Sequence, residues 1–375
     1  MRLHYLDNSA TTRCCDRAAA AALSMMTEKY GNPSSLHEKG IEAEVELERA
    51  RAAVAASLSA AQKDVLFTSG STESNNTVLF GVADAMKRSG RRIIVSAIEH
   101  PSVYESAKEL SRRGWDVRFV PVDSDGVADV DTLRKLLTAD TVLVSVMAVN
   151  NETGAVQPTE EIGRIVKANS PALYHVDAVQ AYGKLPISTA KWNADFVSVS
   201  AHKVHGPKGV GALYIRRSAR LVPLLYGGEQ QRRLRPGTEA TALIAGFGAA
   251  VEEFDLARHG ATVQQLHDKA LSALGDIDGV IINTAALPYI INLSVPGIRS
   301  ETMLHHLERG GVYVSSSSAC AKGKRSYVLE AMGLEDERID SSLRISFSRY
   351  NEEEDVIALC AGLQSGLQTL QRIKK

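Results

Sequence analysis

DVLFTSGSTESNNTVLFGVADAMKRS, residues 64–89, decides the fold. DVLFTS (64–69) reads as a short buried strand. STESNNTVLFGVADAMKRS (71–89) reads as a helix that starts directly after a glycine. The same alternation spreads in both directions. Upstream, LHEKGIEAEVELERARAAVAASL (36–58) is rich in Ala, Glu and Arg and predicts a helix. Downstream, RIIVSA (92–97), TVLVSVM (141–147), ALYHVD (172–177), DFVSVS (195–200) and GVGALYI (209–215) predict strands. SVYESAKELSRRG (102–114) and TEEIGRIVKAN (159–169) predict helices. This is the α/β pattern of a mostly parallel sheet covered on both faces. From about residue 251 the pattern changes. Helical sequence leads to YIINLSV, ETMLHHLERG and VYVS, then RISFS and a last helix from residue 352. That predicts a smaller α+β C-terminal domain. The expected division is 16–252 for the large domain and 253–375, together with 1–15, for the small one.

The length of 375 residues suggests about two domains. Net charge is −1, with 44% hydrophobic and 23% charged residues. A chain so balanced is no polycation, which argues against direct nucleic-acid binding. No apolar run reaches the ~18 residues of a membrane span. The opening MRLHYLDNSATT predicts neither a signal nor a transit peptide. Four cysteines, Cys14, Cys15, Cys320 and Cys360, are not a disulfide framework. The expected location is the cytoplasm, where an exposed thiol is a reagent. The histidines lack metal-ligand spacing, so no metal is expected.

In open α/β sheets ligands bind beyond the carboxyl ends of the strands. Thr68-Ser69-Gly70-Ser71-Thr72-Glu73 follows the first strand quoted. It offers backbone N–H groups, hydroxyls and a helix N-terminus, which suit a phosphate or make an ordinary cap. Glu99 and His100 follow the next strand, and Asn150-Asn151-Glu152 the one after. Asp177 ends ALYHV, with Gln180 three residues on. Its carboxylate is expected to be buried and to need a cation, unless it caps a helix. Lys203 lies between two apolar strands in SAHKVHGPKGVGALY. A desolvated lysine has a lowered pKa and forms Schiff bases. Lys208 in the same loop is the competing candidate. A phosphate cradle, a buried carboxylate and an enclosed lysine are together what pyridoxal 5'-phosphate requires, and His100 is placed to move protons.

Many stretches then resemble one family: YLDNSATT, YGNPSSLH, FTSGSTESNN, EHPSV, NNETGAVQP, HVDAVQAYGKLP, SAHKVHGPKGVGALY, RPGTE, SSSSAC, SYVLEAMGL and SSLRISFS. The chain is similar over nearly its whole length to the NifS/IscS-type cysteine desulfurases. These are class V aminotransferase relatives with the type I PLP-dependent transferase fold. The resemblance implies a role for each matching residue. Lys203 would hold pyridoxal phosphate, Asp177 its ring nitrogen and Gln180 its phenolic oxygen. His100 would stack on the ring as acid and base. Ser71, Thr72, Ser200 and His202 would bind the phosphate, joined by Thr238 from the other subunit of a homodimer. Asn151, also a cofactor-binding residue, and Arg344 would hold the substrate carboxylate. Cys320 would be the nucleophile that takes sulfur from L-cysteine, leaving alanine and a persulfide. That persulfide would pass to a sulfur-acceptor protein, such as an iron–sulfur scaffold or a tRNA-thiolation enzyme.

Without the resemblance, a lone Cys320 reads as a small core residue. Its surroundings, SSSSACAKGKRS, have no apolar periodicity and predict an exposed loop. The cations of AKGKR (321–325) either favour the thiolate and an acidic acceptor or merely solvate the loop. Cys360 falls in a helical pattern and is expected in the core. Four positions depart from the family pattern. Ser71 replaces a usual Gly or Ala, and Glu229, Arg233 and Ser348 replace usual glycines. The alternatives within this fold are a selenocysteine lyase or another class V aminotransferase. Outside catalysis, the alternative is an inactive relative that serves as a binding partner.

Overall fold

The computed structural model describes residues 3–316 and 325–370. The chain begins with β1 (His4–Tyr5), α1 (Asp16–Thr27) and α2 (Glu38–Ser57). It alternates through β2 (Val65–Thr68), α3 (Ser71–Met86), β3 (Arg92–Ser96), α4 (Pro101–Arg112) and β4 (Asp116–Val120). Then come α5 (Val130–Leu136), β5 (Thr141–Ser145), α6 (Thr159–Asn169), β6 (Leu173–Asp177), β7 (Phe196–Ser200) and β8 (Gly211–Ile215). Helices α7 (Thr241–Val251) and α8 (Leu256–Gly275) follow. The remainder is β9 (Ile281–Thr284), β10 (Ile290–Ser294), α9 (Ser300–Arg309), β11 (Val312–Tyr313) and β12 (Ser315–Ser316). It ends with α10 (Tyr327–Ala331), α11 (Asp336–Asp340), β13 (Ser342–Ser346) and α12 (Glu353–Thr369). No helix among the described residues is long and apolar enough to cross a membrane.

The large sheet has seven strands in the order β2-β8-β7-β6-β5-β3-β4. Only β8 runs against its neighbours β2 and β7. A parallel return needs a crossover of a dozen or more residues, and the link from Ser200 to Gly211 is too short for one. Side chains alternate between two cores, as a doubly covered sheet requires. Leu66, Ile93, Val95, Phe196 and Leu213 pack with Val78 and Val82 of α3 and Val103 of α4. Phe67, Ile94, Val197, Val199 and Tyr214 face the opposite core with Leu47, Ile162 and Phe247. The consequence for function is directional. Strands β2 to β7 all run the same way, so their carboxyl ends form one edge.

The second sheet is antiparallel, in the order β12-β13-β10-β9. Strand β1 pairs in parallel with β11, and Asp7 bridges to Ser346. The first residues of the chain therefore lie beside the last strands. This threading brings residues 7–12 across the edge where β6 and β7 end. Thr12 N donates to the His202 carbonyl at 2.9 Å.

Candidate active site

Helix α3 starts on Ser71 behind Gly70, which has φ 150° and provides no side-chain cap. Such a backbone favours glycine. A Cβ on Gly211, the first residue of β8, would lie 2.8 Å from Gly70 Cα. The two backbones approach this closely only without side chains. The start of α3 is thereby set against the end of β7, where Ser200 is buried. Ser71 is half-buried and Thr72 exposed. An uncapped helix start beside hydroxyls is the arrangement that holds a phosphate.

Asp177 closes β6 and is 3% exposed. Its Oδ2 accepts from Asn75 Nδ2 at 2.7 Å, and its Oδ1 from Val179 N at 3.0 Å. Among the described residues no Lys, Arg or His forms an ion pair with it. A buried carboxylate without a cation is costly, so the site asks for a cationic ligand at this point. Asn75 Oδ1 is buried with no partner. Its Nδ2 also donates to Ser102 Oγ at 2.9 Å, and Ser102 Oγ lies 2.8 Å from His100 Nδ1. Ser102 N donates to the same Nδ1 at 3.2 Å. Two donors on Nδ1 leave the neutral ring with its proton on Nε2. Burial holds the His100 pKa below the ordinary histidine value. Asp177 partly opposes that shift, and Lys203 adds to it.

Lys203 sits in the single turn Ala201–Lys203 that follows β7. Its Nζ donates to the carbonyls of Ser9 at 2.6 Å and Ala10 at 2.8 Å. Gln180, 2% exposed, donates from Nε2 to the same Ser9 carbonyl at 2.9 Å. His202 Nδ1 lies 3.2 Å from Thr11 Oγ1. Burial first, then Lys203, Lys208 and His100, pull the His202 ring down to about 4, so it is neutral at pH 7. Lys208 is exposed.

Arg344 lies on β13, 6% exposed. It donates to Asp7 Oδ1 at 2.8 Å and to the Asn151 carbonyl at 2.9 Å, while its buried Nε has no partner. The structure thus joins Asp177 to His100, Gln180 to Lys203, and Arg344 to Asn151. Thr238 is exposed, and no hydrogen bond among the described residues ties it to the others. Cys320 lies outside the described residues. Arg325, the last cation of AKGKR, pairs with Asp336 and Asp340, so its charge is already matched.

Asn75, Ser102 and Asp7 escaped the sequence reading, and Glu99, placed there at a strand end, was given no role. Glu99 accepts from Ser96 Oγ at 2.6 Å and Met147 N at 2.7 Å. Burial and the Asp177 charge push its carboxyl up to about 8. Asn75 follows the phosphate loop in TSGSTESNN, and its helical spacing from Ser71 was the available signal. The departures from the family pattern also find local accounts. Arg233 has φ 62° and pairs with Glu229, so a side chain stands where glycine is the default. Glu229 has φ −91°, which any residue adopts. Ser348 N–H donates to Asn351 Oδ1 at 2.8 Å, without left-handed backbone.

Residues 4–359 match the family model for the aminotransferase class-V domain. The chain is 41% identical over 359 residues to cysteine desulfurase IscS of Methanosarcina thermophila, covering 94% of this chain and 89% of the relative. It is 41% identical over 362 residues to a putative cysteine desulfurase IscS 1 of Bacillus subtilis, covering 94% and 95%. Among solved structures, a NifS-like protein superposes with a TM-score of 0.94 at 42% identity, covering 99% of this chain and 100% of the other.

Proposed function

This chain belongs to the class-V aminotransferase family, and we propose that it is a pyridoxal-phosphate-dependent cysteine desulfurase that moves sulfur from L-cysteine to Cys320. The observation that carries the reading is the buried Asp177 carboxylate, with no ion pair among the described residues, at the same edge as the uncapped start of α3 and Lys203. A protonated pyridine nitrogen answers the first and a phosphate the second. When bound, pyridoxal phosphate supplies an electron sink for the bonds at the substrate Cα.

The chain's own groups do the rest. Lys203 Nζ holds the cofactor covalently, and Asp177 keeps its ring nitrogen protonated. Ser71, Thr72, Ser200 and His202 receive the phosphate. His202 stays neutral and so serves as a hydrogen-bond partner without competing for charge. His100 holds its proton on Nε2 through the two donors on Nδ1 and delivers it from there. Arg344 turns its guanidinium to the substrate carboxylate, with Asn151 beside it and Asp7 as its resting partner. Cys320 takes the sulfur as a persulfide, and a thiolate is the form that attacks.

A homodimer is part of the proposal, with Thr238 serving the partner's phosphate. It is supported by large apolar side chains left exposed on two helices, Leu23 and Met26 of α1 and Ile41 and Val45 of α2, which a partner's surface would cover. The persulfide then goes to an acceptor protein. A cytoplasmic location and the division at 16–252 and 253–375 with 1–15 belong to the same reading. Unpaired Cys14, Cys15 and Cys360 support the first. The pairing of β1 with β11 supports the second.

The test is incubation of the cofactor-loaded protein with L-cysteine and a dithiol. Alanine and sulfide in equal amounts are expected. Sulfide with pyruvate and ammonia, or a keto acid without sulfide, would overturn the assignment.

A further inference from the structure

Lys184 sits four residues after Gln180, on the turn that follows β6. Its Nζ donates to Gln180 Oε1 at 2.7 Å. The other end of that amide donates from Nε2 to the Ser9 carbonyl, which also accepts from Lys203 Nζ. These contacts form one chain: Lys184, Gln180, Ser9, Lys203. A lysine ammonium has donors and no acceptor, so in its charged form it selects the oxygen end of the amide. Gln180 is buried, and its NH2 end is thereby turned toward Lys203, with a second N–H beyond the one used on Ser9.

Lys203, His205, His259, Arg349 and Tyr289 line the same small cleft, and Lys184 Nζ stands 5.7 Å from the Tyr289 ring centroid. Burial pulls the His205 ring down to about 4 and lowers His259 too, and Arg349 is paired with Glu253, so Lys203 is the charge that faces Lys184 from across the cleft. Among the described residues no carboxylate forms an ion pair with it. Burial first, then the like charges of Lys203 and Arg344, pull its pKa down to about 7. A lysine kept without a counter-ion costs stability, and packing alone would be served better by an apolar side chain.

We propose that Lys184 is a positioning residue for the cofactor site: it fixes the Gln180 amide with its NH2 toward the phenolic oxygen and places a like charge behind Lys203. The inference rests on the function proposed above. Both effects work in one direction. A donor on the phenolic oxygen stabilises that oxygen without its shared proton. A nearby cation disfavours a proton on the Lys203 nitrogen. Together they lower the pH at which the covalently held cofactor loses its proton.

The experiment is a pH titration of the visible absorption of the cofactor-loaded protein, with no substrate added. Lys184→Met should raise the midpoint by about one pH unit or more, the size of a close-charge effect. Lys184→Arg should restore the wild-type midpoint. Lys184→Gln keeps a donor without the charge and should fall between. A folded Lys184→Met that titrates like wild type, or Lys184→Arg shifted as far as Lys184→Met, overturns the inference. If Lys184→Met does not fold, a wild-type midpoint in Lys184→Gln overturns the charge effect. Wild-type protein that takes up no pyridoxal phosphate refutes the function itself, a separate and recognisable result.

Discussion

Asp177→Asn separates function from stability at one atom pair. On the proposed assignment of Asp177 to the cofactor's ring nitrogen, the substitution replaces a charge-assisted hydrogen bond with a neutral one there. Bonds to charged groups contribute roughly 1.5–3 kcal/mol, so cofactor affinity should fall about 10- to 150-fold. The apoprotein should behave oppositely. There Asp177 is a buried carboxylate that accepts from Asn75 Nδ2 and Val179 N and forms no ion pair among the described residues. An amide keeps the acceptor for Val179 N. Its new NH2 meets Asn75, whose Oδ1 has no partner and accepts once that amide turns over. The desolvation of a charge is removed, and the turned Asn75 NH2 takes over the unpartnered place that its Oδ1 holds in the wild type, so the number of unpaired buried groups does not grow. Apo stability should therefore hold or rise, by up to a few degrees in melting temperature. The assays are equilibrium binding by cofactor absorbance and thermal unfolding of apoprotein. Wild-type cofactor affinity, or an apoprotein destabilised by about 2 kcal/mol or more on the scale of a lost buried hydrogen bond, would refute the reasoning.

Borohydride reduction of the loaded protein should fix the cofactor on Lys203, which faces the Ser9 and Ala10 carbonyls, and not on the exposed Lys208; peptide mass spectrometry decides. Arg344→Lys should raise KM for L-cysteine by about tenfold or more, because an ammonium cannot bond a carboxylate through two parallel donors, with the cofactor spectrum unchanged. A lost spectrum with normal KM would make Arg344 structural. Glu99, with its carboxyl pushed up to about 8 against an ordinary 4.5, binds more protons folded than unfolded between those values. Its contribution to stability is present below pH 4.5 and is lost as pH rises toward 8. Glu99→Gln should therefore gain on wild type as pH goes from 5 to 8 in denaturant titrations, and a gap independent of pH would contradict that.

The strands read most easily from sequence were β3, β5, β6 and β7, because a central strand covered on both faces is a continuous apolar run, and β2, which lies at one edge but is buried throughout. Strand β4 was missed for the converse reason. It is the other edge strand, and Asp116 and Arg118 interrupt its apolar residues on a partly exposed surface. Helix α1 was missed because DRAAAAALSMMT offers propensity without a clear apolar stripe. Lys203 and Asp177 were legible since their polarity conflicts with their apolar flanks. Asn75, Ser102 and Asp7 were not, because each matters only through a partner distant in sequence. Asp7 meets Arg344 across 337 residues, and no local pattern encodes that. The antiparallel β8 follows from the length of its connection and not from its composition.

The most direct test of the account follows the sulfur atom. Cofactor-loaded protein is mixed with L-cysteine without reductant, quenched in acid and digested, and the cysteine peptides are weighed. The account predicts one extra sulfur on the peptide containing Cys320, with about one alanine released per chain, as a stoichiometric half-reaction requires. An unmodified Cys320, with the sulfur on Cys14, Cys15 or Cys360 or with no alanine formed, would contradict it.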